Sequence, residues 1–184
     1  WACVPWAGVL WTRILWSCIF WTGVFWTCVL WACILWACVL WACILWAGVF
    51  WAGSDDGLVH LSRDGGGEWT DVTPKGMKKW SQVTMLAESE HNPGTVYMSV
   101  ARHKEGDYAP YIYKTTDWGT SWKKIVKGLP AGDFVRVVRE DPNREGLLYA
   151  GTELGLYCSF DDGANWQSLQ ANLPVCPVYD IVVK

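Results

Sequence analysis

Ser62-Arg63-Asp64-Gly65-Gly66-Gly67-Glu68-Trp69, Thr115-Thr116-Asp117-Trp118-Gly119-Thr120-Ser121-Trp122 and Ser159-Phe160-Asp161-Asp162-Gly163-Ala164-Asn165-Trp166 all fit one pattern, Ser/Thr-x-Asp-x-Gly-x-x-Trp. The pattern has the chemistry of a tight hairpin. An Asp carboxylate and a Ser or Thr hydroxyl accept hydrogen bonds from turn N–H groups. Gly66, Gly119 and Gly163 take the positive-φ position, and Trp69, Trp122 and Trp166 are expected to enter the core beside the strand that follows.

The pattern is that of the Asp box, also called the bacterial neuraminidase repeat. The resemblance implies that each box joins the third and fourth strands of a propeller blade, on the face away from the ligand site. Asp64, Asp117 and Asp161 are therefore expected to be structural rather than catalytic. Successive box aspartates lie 53 and 44 residues apart, a period that suits one four-stranded blade per roughly 40–50 residues.

The fold class expected is all-β, a partial β-propeller of four-stranded antiparallel blades with Asp-box hairpins. Blades are placed at about 49–73, 81–126 and 134–169, with the start of another at 177–184. In the second, strands are expected at Gln82–Glu88, Thr95–Ala101, Tyr111–Thr115 and Ser121–Val126. In the third they are expected at Phe134–Arg139, Leu147–Gly151, Leu156–Ser159 and Asn165–Leu169, and Val178–Val183 reads as the first strand of a further blade.

Residues 49–184 as a whole resemble the large bacterial Asp-box proteins related to the sortilin ectodomain, often labelled glycosyl hydrolase or sialidase-like. The stretches that carry this are Trp51 to His60, Arg102-His103-Lys104, Tyr111 to Asp117, Phe134 to Pro142 and Leu173 to Lys184. The resemblance implies an exported, extracytoplasmic bacterial protein with more blades than this chain holds. A closed propeller takes 4–8 blades. Two full blades and parts of two others leave flanks uncovered, so the expected partners are the remaining blades of a longer propeller, or a protein or glycan ligand.

Residues 1–48 obey another rule. Trp recurs every fifth position from Trp1 to Trp51, and the first 50 residues hold 41 apolar side chains and one charge, Arg13. The other 134 residues are about 40% apolar and 24% charged, ordinary globular usage. A period of five winds around a helix without making a stripe and alternates faces on a strand. Three readings stay open for the segment: a membrane insertion, since Ile14 to Ser54 are uncharged; a β-solenoid; or, preferred, tandem copies of a strand like Val49-Phe50-Trp51-Ala52-Gly53. So apolar a segment also implies self-association. The pairs Gly48–Ser54 and Gly146–Thr152 read as equivalent stretches of two repeats.

Function classes narrow quickly. A net charge of −4 after residue 50, without a basic run, argues against nucleic acid. Cys28, Cys33, Cys38 and Cys43 are five apart, unlike a zinc knuckle, so no metal and no cofactor is expected. The pairing of Cys158 and Cys176 is left open. His60 in a strand and His91 in a turn lack a nucleophile context.

By the resemblance, ligands meet the face opposite the boxes. There the connection Arg102 to Pro110 reads as the longest loop, and Pro74 to Trp80 lies beside it. Arg102, His103, Asp107, Tyr108 and Trp80 are the ligand-face candidates: a base, an acid and aromatic rings able to stack on a sugar. A glycosidase would require two carboxylates ~5–10 Å apart. A sialidase-like site would want three Arg, and Arg102, Arg136, Arg139 and Arg144 make no recognisable constellation. Two classes remain, a non-catalytic binding or scaffolding propeller, and part of a glycan-active hydrolase whose catalytic residues lie partly on other blades.

Overall fold

The computed structural model describes residues 48–184. The three readings of the pentads lie outside the described residues. Among those described, no helix is long and apolar enough to cross a membrane.

The described chain forms three antiparallel sheets. The first holds β1 (Phe50–Gly53), β2 (Val59–Ser62) and β3 (Thr70–Asp71). The second runs β4 (Gln82–Glu88), β5 (Val96–Arg102), β6 (Asp107–Thr115) and β7 (Lys123–Lys124). The third runs β8 (Val135–Glu140), β9 (Leu148–Thr152), β10 (Leu156–Ser159) and β11 (Gln167–Ser168). Consecutive strands are hydrogen-bonded neighbours within each sheet, and the sheets pack in chain order as blades of a partial β-propeller.

One backbone contact recurs in every blade and aligns their strands for comparison. The carbonyls of Gly48, Gly94 and Gly146 accept the N–H of Gly65, Trp118 and Asp162 at 2.8, 3.1 and 2.9 Å. Each joins the turn before one strand to the octapeptide turn of the same blade. By this register β1, β5 and β9 are the same strand, the second of a blade, so the expected equivalence of Gly48–Ser54 with Gly146–Thr152 holds. The first sheet has strands two, three and four, and no first strand among the described residues.

Two apolar layers join the blades. Val59 of the first blade packs with Met98 and Val100 of the second, with Trp51, Val72, Leu86 and Trp122 around them. Tyr97, Ile112 and Ile125 pack with Val135, Val138, Leu148, Ala150 and Trp166 of the third. β5 lies between these layers, which is why Val96 to Ala101 is a continuous buried run rather than an alternating one.

Each octapeptide closes on itself in one way. Ser62, Thr115 and Ser159 donate to Asp64, Asp117 and Asp161 at 2.8 Å, and accept the N–H of Gly66, Gly119 and Gly163 at 2.8, 2.9 and 2.9 Å. Two consecutive residues have positive φ in each turn: Gly65-Gly66, Trp118-Gly119 and Asp162-Gly163. All three carboxyls are held below the usual carboxylate range by hydrogen bonds within the turn. For Asp161 the Asn165 amide leads and the value falls to about 2.

The tryptophans differ. Trp122 Nε1 donates to the Val72 carbonyl at 2.7 Å, and Trp166 Nε1 to the Ile125 carbonyl at 2.9 Å. Each indole crosses to the end of the preceding blade's fourth strand. The glycines follow: a Cβ on Gly119 would meet Val72 at 2.7 Å, and one on Gly163 would meet Ile125 at 2.5 Å. Trp69 instead is 47% exposed and donates to Gly66 of its own turn. The expectation that it enters the core fails, because no described blade precedes it.

Two further expectations need correction. Residues Arg102 to Pro110 are not a long loop: β5 runs through Arg102, His103–Glu105 is a 3-10 turn, Gly106 sits at φ 73°, and β6 begins at Asp107. Val178–Val183 forms no strand. Its N–H at Val178 does bond the Thr152 carbonyl at 2.9 Å, as Val83 bonds Ser54 at 3.2 Å. A Cβ on Gly151 would meet Val178 as one on Gly53 would meet Val83. The tail therefore occupies a first-strand position with no sheet of its own to pair with.

Candidate ligand face

β6 ends at its octapeptide turn, so the β5–β6 junction lies at the opposite end of the sheet. Arg102 and Asp107 face each other across that junction, after a bulge in the pairing. Arg102 Nη1 donates to the Lys79 carbonyl at 2.5 Å and to Ser81 Oγ at 2.9 Å, and its Nε stands 3.4 Å from Asp107 Oδ2. Lys78 Nζ reaches the same oxygen at 3.2 Å and the Tyr111 hydroxyl donates to it at 2.8 Å. The Ala109 N–H donates to Oδ1 at 3.2 Å. Arg102 and Asp107 together thus pin residues 78–81 to the junction.

Burial alone would raise the Asp107 carboxyl, but the Tyr111, Ala109 and Lys78 hydrogen bonds prevail and bring it to about 2. The reciprocal effect on Tyr111 is an upward shift, led by burial and helped by the Asp107 charge. Lys124 lies 4.1 Å over the Tyr111 ring, and burial lowers its pKa.

A second group crosses from the second blade to the third. The His103 ring stacks on Phe134, centroids 4.6 Å apart and planes at 20°. Tyr108 stands 6.2 Å from the same ring and is 52% exposed. The Arg136 guanidinium lies 4.9 Å from the Phe134 centroid and 4.2 Å from that of Tyr179, and its Nε donates to Glu153 at 2.6 Å. These side chains form a ladder of rings and cation. The His103 Nδ1 within it is buried without a hydrogen-bond partner.

Arg102, His103, Asp107 and Tyr108 are therefore neighbours in space, Arg102 and Asp107 as a locked pair and His103 and Tyr108 on the ladder. Trp80 sits on the adjoining segment, 64% exposed at φ 61°, its N–H bonded to the Asp56 carbonyl at 3.0 Å. Phe134 and Tyr179 were not legible as members of this surface, because they come from the next blade and the tail. Their only sequence signal is aromatic character.

Among the described residues no cluster of His, Cys, Asp and Glu could hold a metal, and Cys158 and Cys176 are free thiols. His91 Nε2 lies 2.9 Å from the Asp141 carbonyl, a contact between blades.

No family model matches the chain, and no curated protein matches it. Solved structures do. YCF48 bound to D1 peptide superposes with a TM-score of 0.54 at 20% identity, over 66% of this chain and 36% of that one. The GH74 xyloglucanase from Xanthomonas campestris gives 0.51 at 20% identity over 66% and 19%, and the GH74 enzyme of Niastella koreensis 0.53 at 20% over 69% and 20%. The chain spans about a third of the first and a fifth of the others. At such identity the likeness shows the β-propeller fold alone.

Proposed function

We propose that this chain is a non-catalytic binding or scaffolding section of an exported bacterial propeller, and that its three octapeptides are Asp boxes. The observation that carries the binding reading is the state of the carboxylates on the ligand face. Asp107 is paired with Arg102 and Lys78, Glu153 with Arg136, and Asp55 with Lys104. A glycosidase needs one carboxylic acid that still carries a proton at working pH. Asp107, brought to about 2, is an anion there.

What the face offers instead is stacking. Tyr108, Phe134 and Tyr179 with Arg136 between two rings suit the apolar side of a sugar or an extended peptide with aromatic or Pro residues. YCF48, similar in fold, is solved with a peptide bound, which supports a peptide as the first ligand class to try. Isothermal titration of peptide and oligosaccharide panels tests this, with Tyr108→Ala expected to weaken binding about tenfold or more. Unchanged affinity for every ligand found would remove the face from the proposal.

The fold likeness to GH74 enzymes motivates a second reading, a piece of a hydrolase whose acid pair is completed by other blades. A panel of chromogenic glycosides separates the two. Turnover lost on Asp107→Asn and kept on Asp64→Asn would overturn the binding reading.

A further inference from the structure

Between the second and third blades, at the octapeptide end of the sheets, lies a cavity of about 300 Å³. That is the small end of the range for ligand cavities, ~300–1,000 Å³. The Tyr97 hydroxyl donates to Asp162 Oδ1 at 2.8 Å and stands 3.4 Å from Glu140 Oε1, which also accepts the Gly146 N–H at 3.2 Å. Lys114, with a side chain 15% exposed, is ion-paired with the other Asp162 oxygen. Glu145 and the ring of Phe160, 54% exposed, line the same space.

The neighbouring cleft is an internal control. By the register of the octapeptides and of the Gly48, Gly94 and Gly146 carbonyls, Tyr97, Lys114, Glu140 and Asp162 correspond to Trp51, Leu61, Glu88 and Trp118 between the first and second blades. There Leu61 is 3% exposed, Trp51 packs edge-on against Trp122, and Arg63 lies 4.9 Å from the Trp118 ring centroid. Contact between blades of this chain is therefore met by apolar side chains, and apolar groups in place of a buried ion pair are often neutral or stabilising. The cleft between the second and third blades instead gathers a lysine and a buried tyrosine hydroxyl among carboxylates. It also leaves Glu140 Oε2 buried without a hydrogen-bond partner, which is costly until a donor reaches it. Packing alone does not call for this set.

We propose that the cavity binds a guanidinium group on a flexible stem, as carried by an arginine side chain of a partner peptide or by a free guanidino compound. Glu140, Glu145 and Asp162 outnumber Lys114, while Asp161, the remaining acid of the wall, is taken up by Ser159 and Asn165 of its own turn. Among the described residues the acids form no group able to hold a metal ion, so the cation that fits is organic. A guanidinium keeps its charge, is more weakly hydrated than an ammonium, and presents its donors as a flat fork suited to carboxylates. Its N–H groups go to Glu140 and Asp162, and its apolar stem lies along Phe160. The site is at the opposite end of the sheets from the aromatic ladder and stands or falls apart from the ligand proposed there.

The test titrates the full chain calorimetrically with agmatine, with a short glycine and serine peptide carrying one central arginine, and with the same peptide carrying citrulline, which keeps the shape and loses the charge. Saturable binding with a Kd below about 1 mM is expected for the guanidinium probes, and none for citrulline. A peptide that binds more tightly than agmatine marks a protein partner, and the reverse order a free guanidino compound. Glu140→Gln is expected to weaken binding about tenfold, and Phe160→Ala, at an exposed ring outside the core, about threefold. Glu88→Gln, at the matching place in the other cleft, is expected to leave the affinity unchanged. Absence of saturable binding overturns the proposal. So do equal affinities for arginine and citrulline, an affinity unmoved by both Glu140→Gln and Phe160→Ala, and a loss on Glu88→Gln as large as that on Glu140→Gln.

Discussion

The indole of Trp166 is the sharpest place to test how the blades are held together. It is 4% exposed, and its Nε1 donates to the Ile125 carbonyl at 2.9 Å across the second and third blades. Trp166→Phe keeps most of the ring volume and deletes the donor, leaving a buried carbonyl without its partner, a loss of about 1–3 kcal/mol. Trp166→Ala adds a cavity among Ile125, Val135 and Leu148 and is expected to reach about 3–5 kcal/mol. Trp69→Phe removes a chemically identical N–H from an exposed ring whose acceptor, Gly66, lies in its own turn. It should cost about 0.5 kcal/mol or less, as surface substitutions do. Urea unfolding followed by far-UV circular dichroism reads all three, since sixteen Trp would blur fluorescence. The expected order is Trp166→Ala, then Trp166→Phe, then Trp69→Phe. Equal losses for the two Phe variants would refute the view that these indoles act by crossing between blades.

Gly163→Ala combines φ +80° with a Cβ 2.5 Å from Ile125, whereas Gly66→Ala at φ +98° meets open space. The first is expected to lose at least about 2 kcal/mol and the second about 1–2 kcal/mol, from backbone strain alone, by the same unfolding measurement. Asp107 has a folded pKa below its ordinary 3.8. Its contribution to stability is therefore full above about pH 4 and lost as pH falls towards 2. Carboxyl NMR titration should place its midpoint near 2, and Asp107→Asn should flatten the acid limb of stability against pH. Cys158 is buried with its thiol pKa raised by burial, while Cys176 is half-exposed. Under native conditions iodoacetamide should label Cys176 before Cys158, as read by peptide mass mapping.

The octapeptides were legible because their information is local. A hydroxyl, a carboxylate and a positive-φ glycine within five residues can satisfy one another wherever they occur, and they do so at Ser62, Thr115 and Ser159 alike. Strands such as Gln82–Glu88 and Leu156–Ser159 appear with the expected bounds, because apolar β-formers there are punctuated by turn residues. The short fourth strands were overextended, since only two residues of each find ladder partners. Arg102–Pro110 was read as a loop because its charged residues and Gly106 look like one. Yet Asp107 to Pro110 belong to β6, held there by cross-strand pairing that no local signal reports. The candidates His103 and Tyr108 were chosen for their chemistry. Their neighbours Phe134, Arg136 and Tyr179 lie 26 to 76 residues away in sequence and meet them only through blade packing.

By itself the sequence determined the repeat, the hairpin chemistry and the all-β class, since all three depend on residues within one turn or one strand. The division at residue 50 likewise follows from composition. Among the described residues, tertiary structure alone decided which box tryptophans are buried and which carboxylates are held in ion pairs. Those properties belong to pairs of blades. Trp69 and Trp166 sit in matching octapeptides, and their different exposure comes from whether a preceding fourth strand stands beside them. Asp107 looks like a candidate acid until Arg102, Lys78 and Tyr111 converge on it. The same packing seats an unremarkable tail at a first-strand position, with Val178 bonded to the Thr152 carbonyl.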